Sequence, residues 1–107
     1  MIKWAESSYN VAVLDIDTAI THGVKTEIGT AADYKRLRAL SAKSGIFRVS
    51  AKIDGQPMAG ACNANIWANG IDFGCVTNFE GNPTLVSGSL EVTGDKLYVT
   101  INVTVVS

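Results

Sequence analysis

The residue types that carry catalysis or hold metals are few in this 107-residue chain. Its one histidine, His22, stands in Thr21-His22-Gly23 with Asp15 and Asp17 upstream. Asp-x-Asp plus a histidine could in principle ligate a divalent ion. No second histidine exists and the cysteines lie elsewhere in the chain, so the expectation is a solvated loop and no metal. A nucleophilic cysteine would need a base nearby, and only His22 could serve. Gly-x-Ser-x-Gly, phosphate-cradling glycine loops and zinc-protease patterns are missing. Glu6, Asp72, Glu80 and Glu91 could pair as glycosidase carboxylates, but any ten acids on a small domain allow such a pairing. The expectation is a chain without catalytic residues or cofactor, hence not an enzyme.

Trp67 is the side chain with most to offer a ligand. It neighbours Asn65 and Asp72 close to Asn69-Gly70, and an indole flanked by hydrogen-bonding groups is a sugar-stacking platform or an interface anchor. Against this stands the ordinary fate of tryptophan, which is cover by other elements, here the helix or the N-terminal arm. Trp4 raises the same question.

Hairpin arithmetic puts these residues on faces. Asn-Gly is the strongest two-residue hairpin dipeptide, because both central positions of a type I′ turn need positive φ. A loop at Asn69-Gly70 pairs Ala68 with Ile71, Ile66 with Phe73 and Ala64 with Cys75. Cys62, Ala64, Ile66, Phe73 and Cys75 then share one face, and Asn63, Asn65, Trp67, Asp72 and Gly74 the other. In that register the cysteines are diagonal neighbours about 7 Å apart at the α-carbons, near the outer limit for a disulfide. Two buried free thiols acting as small hydrophobes are expected. A turn at Gly94-Asp95 likewise pairs Val92 with Leu97, Leu90 with Val99, Gly88 with Ile101 and Val86 with Val103. Glu91, Ser89 and Ser87 oppose Tyr98, Thr100 and Asn102 outside.

The elements that hold these positions follow from spacing. Residues 9–16 read as a first strand, and 17–30 as a polar loop or arm around His22. A helix is expected over about 31–43, capped by Thr30 with Asp33 in the capping-box position and stopped by Gly45. Tyr34, Leu37, Leu40 and Ser41 or Ser44 form its inward stripe. Over 46–53, Phe47, Val49, Ala51 and Ile53 alternate with Arg48, Ser50 and Lys52. Asp54-Gly55 opens a turn, and Pro57 discourages pairing just after it. The fold class is therefore mainly β: an antiparallel meander or small β-sandwich of about five to six strands with one helix near the N-terminal side. One domain spans 1–107, with strand and arm over 1–29 and helix plus sheet over 30–107. Val103, Val105 and Val106 run apolar, either as an edge that a second subunit would cover or because the last strand is central in the sheet.

Composition bounds the partners. Apolar residues make up 47% of the chain and charged residues 18%, below the usual quarter, so Ser, Thr, Asn and Gly cover much of the surface. A net charge of −1 gives no field to steer nucleic acid or membrane. Lys35, Arg36, Arg38, Lys43, Arg48 and Lys52 run without an intervening acid, which reads as a solvated basic face or as salt bridges to a neighbouring subunit. No apolar run is long enough to span a bilayer, and residues 1–8 lack a secretory core.

Tyr34-Lys35-Arg36-Leu37-Arg38-Ala39-Leu40, then Ser44-Gly45-Ile46-Phe47-Arg48-Val49 and a Gly/Asn-rich meander, resembles small β-domains of bacteriophage virion proteins of the head-fibre, tail-fibre and decoration type. The resemblance covers about residues 30–107. It implies a structural or assembly domain, a homo-oligomer with the trimer favoured, other virion proteins as partners, and a location in the virion after assembly in the host cytoplasm. The alternative is a small carbohydrate- or host-surface-binding module. Binding or interface residues are expected at Trp67, Asn65, Asp72, Tyr98, Val103 and Val105.

Overall fold

The computed structural model describes residues 2–6, 11–79 and 81–105, with the side chains of 2–6, Phe79 and Val105 outside that description. The protein is mainly β, with one helix. The strands are β1 (Ile2–Glu6), β2 (Ala12–Ile16), β3 (Thr26–Thr30), β4 (Ile46–Ile53), β5 (Gln56–Trp67), β6 (Gly70–Phe79), β7 (Asn82–Thr93) and β8 (Lys96–Val105), and α1 (Ala31–Ser44) lies between β3 and β4. They form one sheet in the order β1-β2-β4-β5-β6-β7-β8-β3. Pairing is antiparallel except between β2 and β4. The five strands after the helix are a plain meander, as their alternation predicts.

The helix forms where its caps dictate. Thr30 Oγ1 accepts from the Asp33 N–H at 3.3 Å, Asp33 Oδ2 accepts from the Thr30 N–H at 2.9 Å, and Gly45 ends the last turn at φ 75°. Leu37 and Ser41 are buried, with Tyr34 and Leu40 half-buried beside them. The sheet curls round this stripe so far that α1 touches β2, β3, β4, β5, β7 and β8. The core fills the concave side. Phe47, Ile53, Ile71, Leu90, Leu97 and Ile101 are fully buried there, and Phe47 meets Phe73 edge-to-face at 5.4 Å.

Several expectations need correction. Of the strand expected over residues 9–16, Ala12–Ile16 is observed, with Val11 outside it, and β1 precedes it in the chain; residues 9 and 10 lie outside the described residues. The 17–30 stretch is no free arm. Ile20 bridges to Ile53, and β3 pairs with β8 across a bulge between Glu27 and Gly29. Five residues with one buried side chain, Ile28, are too short for alternation to declare a strand. Pro57 is within β5, opposite Lys52. Asp54 and Gly55 both have positive φ, as a two-residue I′ turn requires, so Ile53 and Gln56 are the hydrogen-bonded pair. The next pair along is non-hydrogen-bonded, and the donor that Pro57 lacks is one that β4 does not use.

The β5–β6 turn also differs. Trp67 pairs with Gly70 and Ile66 with Ile71, so the loop is Ala68-Asn69, and neither residue has positive φ. The pairing slips by two positions, and a slip of two keeps every side chain on its expected face. Two contacts favour it. The Trp67 indole lies across Gly70, where a Cβ would meet Cζ2 at 2.9 Å and the Leu90 carbonyl at 2.7 Å. The slip also sets Cys62 directly opposite Cys75, and the two form a disulfide with α-carbons 4.3 Å apart. The cysteines are therefore not the free thiols that diagonal placement implied. The β7–β8 hairpin keeps its expected register at every pair, with Gly94 at φ 65°.

Candidate functional site on the outer sheet face

The convex face of β5, β6, β7 and β8 is built in rows, because cross-strand partners share a face. Trp67, Gly70, Glu91 and Tyr98 form one row. Asn65, Asp72, Ser89 and Thr100 form the next, followed by Asn63, Gly74, Ser87 and Asn102. Val76 and Leu85 face each other one row further on. An open depression of 590 Å³ lies over the middle, lined by Asn63, Asn65, Asp72, Gly74, Val76 and Leu85 among others. Gly74 forms part of its floor: a Cβ there would meet nothing within 4 Å.

The two ends of this face differ in chemistry. At the Val76 end, Val76 is 74% exposed and Leu85 41%, with exposed Ala61 lining the same depression. At the other end Trp67 is 41% exposed. Its carbonyl accepts from Arg38 Nη1 at 2.7 Å, and the same guanidinium donates to the Tyr34 hydroxyl at 2.9 Å. The helix thus fixes the backbone that carries the indole.

The expected residues divide between this face and other places. Trp67, Asn65 and Asp72 come together on it. Tyr98 is on the same face three strands away, with the Lys25 ammonium 5.0 Å above its ring and 3.9 Å from Glu91. Beside it, the Glu27 carboxylate takes a hydrogen bond from Lys96 at 3.2 Å and raises the Lys96 ammonium above its ordinary value. Val103 points inward, half-buried against the core opposite Val86. The Val105 side chain lies outside the described residues. Val76, Leu85 and Gly74 were not singled out from sequence. The hairpin register already set Gly74 on this face, and the position of Val76 and Leu85 follows once Cys75 and Val86, buried partners, are seen to face inward.

The β8 edge beyond β3 is covered at Ile101 and Val103. The Gly23 N–H donates to the Ile101 carbonyl at 2.8 Å, and the Val103 N–H donates to His22 Nδ1 at 3.0 Å. The His22 N–H in turn donates to Asp54 Oδ1 at 3.1 Å. His22 is thus a plug on a strand edge. Among the described residues no three of His, Cys, Asp and Glu converge on one point. The six cations between 35 and 52 are split between the helix, inside the curl of the sheet, and the outer side of β4, where Arg48 and Lys52 are exposed. No family model matches the chain, and comparison with curated proteins and with solved structures finds no match.

Proposed function

We propose that the chain is a non-enzymatic structural or assembly domain of a bacteriophage virion that self-associates through the outer face of its sheet. The observation that carries the reading is the Val76–Leu85 pair, two aliphatic side chains directly opposite each other, 74% and 41% exposed. An exposed aliphatic pair in a weakly charged surface gains about 25 cal/mol per Å² when a second copy covers it. On β8 beyond β3 the Ile101 carbonyl and the Val103 N–H already have partners, which favours contact through the sheet face over pairing along that edge. The Cys62–Cys75 disulfide supports a working life in an oxidising medium, such as that around a released virion. The resemblance of residues 30–107 to virion β-domains supplies the trimer as the expected stoichiometry.

Solution mass by light scattering, over a concentration series, tests this. The reading expects a stable multiple of the 11.3 kDa chain, with the trimer first among the candidates. A monomer at every concentration would sink it.

A further inference from the structure

We propose that the Trp67 end of the outer face is a binding site for neutral saccharides. The inference goes beyond self-association and centres on the opposite end of the same face, sharing only Asn65 and Asp72 with the lining of the depression.

Three observations define the site. First, the indole is set in advance. It lies across Gly70, at a position where any larger residue would collide with it, and Arg38 holds its carbonyl at 2.7 Å. A platform fixed before binding loses little freedom on binding, and 41% of the residue remains open. An exposed indole offers an apolar face that accepts the C–H face of a pyranose ring as it accepts other flat apolar surfaces. Secondly, the neighbouring row is a set of hydroxyl partners. Asn65 stands opposite Asp72, and Ser89 follows on β7. Positions two apart on a strand are about 6.8 Å apart, so a ring on Trp67 brings its hydroxyls, or the next ring, over this row. A carboxylate takes hydrogen bonds from hydroxyls more strongly than a neutral acceptor does, and the Asn65 amide both donates and accepts. Thirdly, the charge is one-sided. Asp72 and Glu91 are the charged residues in the two rows, and Lys25 is engaged by Glu91 and Tyr98 at the far end. Donor-rich and uncharged ligands fit such a surface, while anionic sugars are repelled.

The experiment is a nuclear magnetic resonance titration of the isotope-labelled chain with lactose, cellobiose and chitobiose, and with sialyllactose as the anionic comparator. At least one of the three neutral disaccharides should shift the Trp67 indole N–H and the Asn65 and Asp72 amides saturably, in the millimolar range. Trp67→Ala should abolish the shifts. Asp72→Ala, at an exposed position that the fold does not need, should weaken binding about tenfold, as loss of a charged hydrogen bond does. Sialyllactose should bind more weakly than lactose. Silence with all three neutral probes overturns the proposal, as do shifts that survive Trp67→Ala. Shifts unchanged in Asp72→Ala would mark Trp67 as a general apolar contact and overturn it too. The solution mass of the wild-type chain reports on self-association independently, so either proposal can fail without the other.

Discussion

Gly74 and Gly88 lie in adjacent rows of one ladder, where Gly74 pairs with Ser87 and Phe73 with Gly88. Gly88 faces inward, where a Cβ would fall 2.4 Å from the Thr100 carbonyl and 2.6 Å from Phe73 Cζ. The ring that meets Phe47 edge-to-face needs that space. Gly74 faces outward, its φ is not positive, and a Cβ would meet nothing within 4 Å. The fold gives no reason for glycine there, yet its bare backbone lets the depression form. The contrast separates positions fixed by packing from positions open to another use. The inner face is of the first kind and the outer face, apart from Gly70 beneath the Trp67 indole, of the second.

Substitutions can break or sharpen this contrast. Gly88→Ala should lower unfolding free energy by about 3 kcal/mol, because its methyl group is forced onto backbone and a packed ring; a denaturant midpoint reads the loss. Replacing both cysteines by alanine should lower it by a little less, about 2–3 kcal/mol for a bridge closing a loop of this size, with reduction of the wild-type chain giving the same shift. His22→Ala should lower it by about 1 kcal/mol, the net value of one hydrogen bond, and should speed amide exchange at Val103. Gly74→Ala should change stability by less than about 0.5 kcal/mol. The added methyl fills the floor of the depression, so self-association should weaken although the fold does not. If Gly74→Ala were as harmful to stability as Gly88→Ala, the distinction between the two faces would collapse.

Much of the fold was legible because its punctuation is local. Thr30, Asp33 and Gly45 delimit the helix, and Gly94-Asp95 sets the β7–β8 register without help from distant residues. Trp67, Asn65 and Asp72 were also correctly grouped, since parity survives a slip of two. The slip itself was not legible. It rests on the indole covering Gly70, a tertiary contact that outweighs the turn preference of Asn69-Gly70, and the disulfide is hidden by the same step. The role of His22 is further from reach, because its partner Val103 is 81 residues away. Nothing in Thr21-His22-Gly23 announces a strand-edge plug. Val76 and Leu85 could have been found by extending the strand parity across the β6–β7 connection, where the sequence offers Gly81 as the turn.

The central claim is that the outer face of β5, β6 and β7, at its Val76 end, is the surface through which copies meet. The most direct test is the solution mass of Val76→Glu beside that of the wild-type chain at matched concentrations. A carboxylate at a 74% exposed position has no effect on the core, so the variant should stay folded. The account predicts a wild-type oligomer and a Val76→Glu monomer. A Val76→Glu chain that keeps the wild-type oligomeric mass would contradict it.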